Sequence, residues 1–347
     1  MRSTAWNVDG AVTFSDDDLS RLKITVTGGR GFLGRYVLDA LIAQGAKREN
    51  ILAPASSDFD LRAEHDAAAV VEGRDLVIHL AARVGGIGFN QRWPADLIYD
   101  NTLMGLNVIH QAHRKKVRKL VFAGTVCAYP KFASTPFKEE DLWNGYPEET
   151  NAPYGVAKRH LLATLQAYRQ QHNLHGVFLL PANLYGPHDN FDVEASHVVP
   201  AMIRKFVEAT RDCRSFVELW GDGSPSREFL FVEDCARGFL LAALRYDGPE
   251  PVNLGTHEET NIRTLAETIK RLTGYEGSIV WNTSRPNGQP KRQLDVLRAK
   301  EAFGFEAKVS LHAGLEKTIC WYLEERGVKR ERSRTQAGDI TAIERER

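Results

Sequence analysis

The sequence predicts an α/β protein built on a doubly wound parallel sheet, with a smaller α/β domain in its C-terminal half. Three observations predict this class. A short β-branched strand pattern runs directly into a glycine-rich turn and then into an amphipathic helix pattern. Short apolar strand patterns then alternate with helix patterns as far as about residue 190. Beyond that point the strict alternation is lost, which indicates a second domain.

The first strand pattern, Lys23–Thr27, leads into a GxxGxxG turn that is typical of a Rossmann-type dinucleotide site. Gly28 allows the tight turn, Gly31 lets the backbone approach a pyrophosphate, and Gly34 lets the helix pack on the strand. The N-terminus of that helix offers N–H groups and a positive dipole to the phosphates. We therefore expect cofactor contacts from Gly28, Gly29, Arg30, Gly31, Phe32, Leu33 and Gly34.

The second strand pattern, Ile51–Pro54, indicates which dinucleotide binds. An NAD-selective site usually has an acid near the end of this strand for the ribose 2′-hydroxyl, but here Ser56 lies close to that position. Arg30 lies inside the glycine turn, where a cation can meet a 2′-phosphate, so we expect NADP(H), with Ser56 as a further contact. Asp58 and Asp60 follow shortly after this position, so NAD remains an alternative cofactor.

The third strand pattern, Asp75–Ala82, is almost continuously apolar, as a sheet covered on both faces requires. It ends in the glycine-rich loop Arg83–Gly88, at the strand end where open α/β sheets bind ligands. A long helix pattern covers about residues 98–114, and the fourth strand, Lys119–Ala123, follows it.

The fourth strand delivers Thr125 and Cys127 to its C-terminal end. Tyr154 and Lys158 stand four residues apart, which places both side chains on one face of a helix over about residues 154–171. A hydroxyl, a phenol and an ammonium close together form a proton relay, and we expect the ammonium to lower the pKa of the phenol. Cys127 adds an acid or base that a simple carbonyl reductase does not need.

The fifth strand pattern, Val177–Leu180, ends in a loop over residues 181–190 that faces the same crevice. Its location predicts that His188 lies near the reaction centre. The ends of the fourth and fifth strands and the following helix also predict cofactor contacts from Ala123, Gly124, Lys158, Pro181, Asn183, Leu184 and His188.

The C-terminal half shows shorter patterns. The helices are predicted from Ser196 through Phe206, over Ile262–Leu272 and over Leu315–Tyr322, and the strands over Val217–Trp220, Arg227–Val232 and Val252–Gly255. An aromatic ring and two cations, Trp220, Arg227 and Arg292, predict a surface for a nucleotide diphosphate.

The composition narrows the functional classes. The chain has 347 residues, 43% of them hydrophobic and 26% charged, which is ordinary for a soluble globular protein. Its formal net charge is zero, so no electrostatic argument favours nucleic acid or a membrane surface as a partner. The four cysteines show neither CxxC pairing nor metal-ligand spacing, so we expect no metal site and a cytoplasmic protein with reduced thiols. We find no apolar leader and no membrane-spanning run.

The glycine turn, Thr125 and the Tyr154/Lys158 pair resemble the extended short-chain dehydrogenase/reductase superfamily. More narrowly, residues 22–325 resemble the GDP-L-fucose synthase family, which usually has Ser where this chain has Thr125. The motifs that carry this likeness are Ala82-Arg-Val-Gly-Gly-Ile87, Gly124-Thr-Val-Cys-Ala-Tyr-Pro-Lys131, Asn183-Leu-Tyr-Gly-Pro-His-Asp-Asn-Phe191, Ser196-His-Val-Val-Pro-Ala-Met-Ile-Arg204 and Trp220-Gly-Asp-Gly-Ser-Pro-Ser-Arg-Glu-Phe229.

The resemblance implies an NADP-dependent nucleotide-sugar epimerase and reductase. C3 and C5 of a GDP-4-keto-6-deoxy-hexose would be inverted, with Cys127 as the base and His188 as the acid. NADPH would then reduce C4 while Tyr154 protonates the oxygen, Lys158 holds the nicotinamide ribose and Thr125 binds the keto oxygen. The expected substrate contacts are Ser196, Arg204, Trp220, Arg227, Asn287 and Arg292.

The sequence also indicates an order of parts along the chain, in which the arm and the tail lie outside the resemblance. Residues 1–21 are expected to form a loosely held arm, and residues 22–190 the NADP-binding domain, to which later segments return. Residues 191–326 are expected to bind mainly the GDP-sugar, and residues 327–347, dense in Arg and Glu, to form a solvated tail. Relatives commonly form homodimers through the helices at about 98–114 and 154–171, and we expect the same here.

Three alternatives remain open from the sequence. The chain could be a GDP-sugar 3,5-epimerase with tightly held NAD and no net reduction, which a stoichiometric loss of NADPH absorbance would exclude. It could carry out the same chemistry on another GDP-4-keto sugar, for instance a heptose. It could be a non-catalytic nucleotide sensor, although a sensor has no reason to keep Thr125, Tyr154 and Lys158.

Overall fold

The computed structural model describes residues 10–192, 195–285, 287 and 289–327. The strands are β1 Ile24–Thr27, β2 Ile51–Leu52, β3 Leu76–His79, β4 Lys119–Ala123, β5 Gly176–Pro181, β6 Asn183–Tyr185, β7 Phe216–Trp220, β8 Ser226–Phe231, β9 Val252–Leu254, β10 Glu259–Asn261 and β11 Ser278–Asn282. The helices are α1 Asp16–Leu19, α2 Phe32–Ala43, α3 Glu64–Val71, α4 Ile87–Arg92, α5 Pro94–Arg114, α6 Ala152–His172, α7 Val198–Arg211, α8 Val232–Arg245, α9 Ile262–Thr273, α10 Leu297–Phe303 and α11 Leu311–Glu325.

The main sheet confirms the predicted doubly wound fold. Its six strands are all parallel and lie in the order β2-β1-β3-β4-β5-β9. Two groups of helices cover it, since α3, α5 and α6 pack side by side and α2 packs against α8. The strands β1, β3 and β5 are buried along their whole length, as their apolar sequences require. The C-terminal ends of these parallel strands therefore meet at one edge, which we call the carboxyl edge.

A second layer follows the main sheet in the chain. It contains a mixed sheet in the order β10-β8-β6 and a parallel pair, β11-β7. Its own apolar core is formed mainly by α7, α9, α11 and these strands, with Phe206, Leu265 and Ile319 fully buried. The chain returns to the main sheet through α8 and β9, so the two layers share segments.

The N-terminal arm is held more firmly than the sequence suggested. Phe14 and Leu19 are buried in the core of the main sheet, and Ser15 caps α1. The Phe14 amide donates to the Leu244 carbonyl at 2.8 Å, and the Val12 amide donates to Asp247 Oδ2 at 2.7 Å. The prediction of a loosely held arm is therefore wrong for residues 10–21, because two apolar side chains anchor a segment that reads as polar. Residues 1–9 and 328–347 of the expected arm and tail lie outside the described residues.

Several element boundaries differ from the sequence prediction. Helix α5 begins at Pro94, four residues before the predicted start, because proline is well suited to the first turn of a helix. Helix α7 begins at Val198, so Ser196 lies outside it and His197 is its N-cap residue. Among the described residues, no helix is both long and apolar enough to cross a membrane.

Candidate active site

The glycine turn between β1 and α2 forms a cradle that only glycine allows. Gly28 has a positive φ of 72°, and a Cβ at Gly34 would overlap the Gly28 carbonyl oxygen. The N-cap residue of α2 is Gly31, which has no side chain to cap the helix. The first-turn N–H groups are therefore directed to a ligand, and the cradle fits the pyrophosphate of a dinucleotide.

Arg30 lies beside the end of β2, as the sequence predicted for a contact with a 2′-phosphate. Its side chain is exposed, and Nε donates to the Ala53 carbonyl at 3.2 Å. Ser56 is also exposed nearby in the chain, whereas Asp60 is occupied by Arg62, whose Nη2 lies 2.8 Å from Oδ2. The local charge therefore fits NADP(H) better than NAD(H).

Helix α6 packs closely on the turn that follows β4. A Cβ at Gly155 would overlap the Cys127 carbonyl oxygen, so only glycine permits this approach. Thr125 Oγ1 accepts a hydrogen bond from the Cys127 amide at 3.2 Å, and Lys158 Nζ donates to the Ala123 carbonyl at 2.8 Å. The hydroxyl, the thiol, the phenol of Tyr154 and the ammonium are thus brought to the carboxyl edge.

The electrostatics of the relay differ from the prediction. Burial raises the pKa of the Tyr154 phenol, and Cys127 adds to the rise, so the expected lowering by Lys158 does not occur in the ligand-free site. Burial lowers the pKa of Lys158 to about 7. Its ammonium donates to the Ala123 carbonyl and lies over the rings of Phe122 and Tyr154. Desolvation is therefore the main cause of the pKa shift at both groups.

Two guanidinium groups converge on Cys127 from the second layer. Arg292 Nη1 lies 3.4 Å from Cys127 Sγ, and Arg292 is buried. Arg227 lies close enough to Arg292 and Cys127 for both groups to affect its pKa. Burial, together with the charge of Arg292, lowers the pKa of Arg227 to about 9. Two cations held this close together favour an anionic ligand such as a diphosphate.

His197 is the residue that the sequence analysis missed. Desolvation by the surrounding protein atoms and the charge of nearby Arg292 lower the pKa of its imidazole, although the residue as a whole is exposed. The segment is held by the loop after β3, because the Gly86 amide donates to the Ala195 carbonyl at 3.1 Å and a Cβ at Gly86 would crowd the Ser196 carbonyl. Ser196 therefore contributes a backbone contact to this corner. The signal was present, since His197 stands inside the motif that begins at Ser196.

His188 does not lie at the reaction centre, and the prediction for it is wrong. Its side chain is exposed, and its ring packs against Trp321 at 4.7 Å and Tyr36 at 6.4 Å between centroids. The backbone turns sharply here, with φ of 157° at Gly186 and 66° at His188. This turn directs the imidazole onto α2 and α11, an arrangement that strand-end reasoning cannot foresee.

The other residues expected to contact substrate lie in two places. Trp220 is 46% exposed at the end of β7 with Arg285 over its ring at 5.0 Å, and Asn287 Oδ1 accepts from the nearby Asp222 amide at 3.0 Å. Arg204 is turned away to Glu208 and the Phe191 carbonyl. The first pair forms an aromatic and polar surface, whereas Arg204 serves the packing of α7.

The remaining cofactor residues lie at the ends of the central strands. Pro181 ends β5 opposite Leu254, and Leu184 lies in β6. Asn183 Nδ2 donates to the Glu228 carbonyl at 2.9 Å, so its amide links β6 to β8. Gly124 packs under the Phe178 ring, where a Cβ would overlap it. These residues therefore lie at the carboxyl edge, below the site of the relay.

Comparisons with known proteins agree with this arrangement. Residues 24–255 match the model of the NAD dependent epimerase/dehydratase family. The chain is 41% identical over 323 residues to a probable GDP-L-fucose synthase 1 of Oryza sativa subsp. japonica, covering 91% of this chain and 98% of the relative.

Two solved structures share its fold. An NADP-bound GDP-L-fucose synthetase of Naegleria fowleri superposes with a TM-score of 0.79 at 28% identity, covering 93% of this chain and 99% of the other. A GDP-6-OMe-4-keto-L-xylo-heptose reductase of C. jejuni superposes with a TM-score of 0.82 at 27% identity, covering 88% and 98%.

Proposed function

Because the chain belongs to the NAD-dependent epimerase/dehydratase family, we propose that it inverts C3 and C5 of a GDP-4-keto-6-deoxy-hexose and then reduces C4. The observation that carries this proposal is the position of Cys127 beside the Thr125, Tyr154 and Lys158 relay. A reductase needs the relay alone, whereas a thiol held against a guanidinium adds a base for proton removal next to a ketone.

NADP(H) is the cofactor. The glycine cradle of Gly28, Gly31 and Gly34 would hold its pyrophosphate, and Arg30 would meet the 2′-phosphate. When bound, NADPH supplies the hydride for C4. Lys158 lies under this part of the site, where it would hold the nicotinamide ribose.

The epimerisation follows from the acidity of C–H bonds next to a ketone. The Cys127 thiolate removes the proton from C3 or C5, an S–H bond forms, and the C–H electron pair moves into an enediolate. His197 returns a proton from the other face of the ring, which inverts the centre. Desolvation and the charge of Arg292 lower the pKa of this imidazole, so its protonated form gives up the proton readily but is the minor form at neutral pH.

The reduction depends on Tyr154 as a proton donor. A raised pKa keeps the phenol protonated at neutral pH, which is the form that can protonate the C4 oxygen. The Thr125 hydroxyl lies in the same turn as Cys127 and would hydrogen-bond the keto oxygen. Arg227 and Arg292 would bind the diphosphate, and the exposed ring of Trp220 offers a stacking surface for the base.

The test is an incubation with NADPH and GDP-4-keto-6-deoxymannose in deuterated water, followed by NMR of the product. We expect deuterium at C3 and C5, inversion of both centres and one NADPH consumed per sugar. Cys127→Ser should abolish the exchange, whereas Cys213→Ser, the same change at an exposed thiol, should not. Undiminished exchange in Cys127→Ser would remove this residue from the mechanism.

A second candidate keeps the chemistry and changes the sugar. It is favoured by the structural likeness to the C. jejuni heptose reductase. The same NMR assay with a GDP-4-keto-heptose would decide, since the preferred substrate is the one with the higher kcat/KM. Deuterium exchange without NADPH consumption on either sugar would instead identify an epimerase without net reduction.

We also propose a homodimer formed through α5 and α6. These helices pack along each other, and Ile98 and Tyr99 expose apolar surface on α5, with Tyr99 65% exposed. Light scattering of the purified chain tests this, and Tyr99→Glu should weaken the dimer. The cytoplasm is the location we propose, because no disulfide joins the four cysteines, all of which are among the described residues.

A further inference from the structure

Gln289 has no role in the proposed mechanism, yet its amide is buried beside the active site. Its side chain lies between the second layer and the loop after β4, and only 3% of the residue is exposed. Oε1 accepts a hydrogen bond from Arg292 Nε at 2.8 Å. Nε2 donates to the Lys131 carbonyl at 3.2 Å and reaches the Pro130 carbonyl at 3.5 Å. Both ends of the amide are therefore engaged.

These bonds determine where the guanidinium of Arg292 points. The group is planar and rigid, so fixing Nε also fixes the direction of the two terminal nitrogens. With Nε held by Gln289, Nη1 lies 3.4 Å from Cys127 Sγ. A guanidinium at this distance stabilises a thiolate relative to a thiol.

We propose that Gln289 is a positioning residue that holds the Arg292 guanidinium against the Cys127 sulfur, where its charge stabilises the anionic form of the sulfur that acts as the base. This role of Gln289 rests on the proposed function only for the identity of the proton that Cys127 removes. In that step the C–H bond of the sugar breaks, the S–H bond forms, and the electron pair passes to the ketone oxygen through the enediolate. The contact itself exists without substrate.

Other charged and titratable groups also face Cys127. Arg227 approaches from β8 and Tyr154 from α6, while Glu148 and Glu259 offset part of the Arg227 charge. His197, at the start of α7, lies near Arg292 and interacts with its charge. Arg227 Nη1 donates to its neighbouring carbonyl, that of Ser226, at 2.7 Å. Arg292 is the cation that touches the sulfur, so its loss has the larger effect on the thiolate.

The test measures how fast iodoacetamide alkylates Cys127 as a function of pH, in the full chain without substrate. Peptide mass spectrometry separates Cys127 from the other three cysteines. Arg292→Met should slow alkylation at pH 7 about tenfold, which corresponds to a rise of about one unit in the midpoint pH. Gln289→Met should slow it several-fold, about two- to fivefold, because the guanidinium stays in the site but is no longer aimed at the sulfur.

The decisive comparison is a double-mutant cycle. Gln289→Met should shift the alkylation midpoint in the wild-type background and leave it unchanged in the Arg292→Met background. The matched control is Gln293→Met, because the Gln293 amide donates to the His257 carbonyl rather than to a group near the sulfur. Gln293→Met should leave the midpoint where it is.

An unchanged midpoint in Gln289→Met overturns the proposal, and so does an equal shift in both backgrounds. Circular dichroism and thermal unfolding report whether each variant folds. If Gln289→Met does not fold, Gln289→Asn keeps the amide but is too short to reach both Arg292 and Lys131, and the same outcomes apply to it. In the presence of the keto sugar, Gln289→Met should lower kcat for deuterium exchange at neutral pH.

The role of Gln289 and the proposed substrate can be rejected independently of each other. Alkylation needs no sugar, so a shifted midpoint with no exchange into any GDP-keto sugar would leave the role of Gln289 intact and reject the proposed substrate. Normal deuterium exchange together with an unshifted alkylation midpoint would support the proposed substrate and reject the role of Gln289.

Discussion

At the scale of single residues, Arg292 interacts with both groups that would move protons in the proposed epimerisation. It contacts the sulfur of Cys127, where a positive charge favours the anionic form, and it adds to the desolvation that lowers the pKa of the His197 imidazole. A bound diphosphate brings negative charge to the same guanidinium. Occupancy of the nucleotide site is therefore coupled to the strength of both catalytic groups.

The two histidines offer a direct test of this assignment. His197→Gln should lower the rate of deuterium incorporation about 10²-fold, because a general acid contributes roughly this much. The matched change His188→Gln should alter the rate by less than about threefold, since its ring packs on Trp321 at the surface. NMR in deuterated water measures both rates, and the opposite ranking would restore His188 as the acid.

Arg30 can be tested through the choice of cofactor. Arg30→Ala should raise the KM for NADPH at least about tenfold and leave the KM for NADH almost unchanged, because only NADPH carries a 2′-phosphate for the guanidinium. Steady-state kinetics with the two cofactors gives both values. Equal changes would argue against this contact.

At the scale of elements, the position of α6 depends on Gly155. Any side chain at this position would overlap the Cys127 carbonyl and move the helix that carries Tyr154 and Lys158. A displacement of about 1 Å at a catalytic group can cost about 10²-fold in rate.

Gly155→Ala should therefore reduce kcat for NADPH oxidation by at least about tenfold while the chain stays folded. Gly238→Ala in α8 is the control, because the added Cβ would meet side-chain atoms of Leu254 and Phe305 at 3.0 Å or more rather than a backbone carbonyl. Full activity in Gly155→Ala would show that α6 tolerates the shift.

At the scale of the whole molecule, Asp189 connects stability to pH. Burial raises the pKa of its carboxyl to about 7, and Oδ2 has no hydrogen-bond partner among the described residues. The folded state holds this proton above the pH at which the unfolded chain releases it. Stability from this group is therefore complete below about pH 4 and is lost as the pH rises through about 7.

Asp189→Asn should remove this dependence. The amide has nearly the same shape and no charge, so the variant should gain up to about 4 kcal/mol over the wild type between pH 4 and pH 8. Urea unfolding across this range measures the difference. Asp58→Asn, at an exposed position, should leave the pH dependence unchanged, and a parallel profile for Asp189→Asn would show that its carboxyl ionises freely.

The fold and the relay were predictable because their signals are local. The glycine turn, the apolar strands and the spacing of Tyr154 and Lys158 each reflect a short-range geometric rule. His197 was missed because it is a helix N-cap residue brought to the site by the distant loop at Gly86. The raised pKa of Tyr154 was also beyond the sequence, since desolvation depends on what the whole fold packs around the phenol.

The anchored arm has a practical consequence for anyone preparing shortened versions of the chain. Phe14 and Leu19 fill space at the amino edge of the main sheet, and the buried amine of Lys119 donates to the Val12 carbonyl at 3.0 Å. Trimming the first twenty residues for crystallisation would open an apolar hole at the end of the sheet opposite the active site. A cut placed before Gly10 keeps Phe14 and Leu19 in the core of the main sheet.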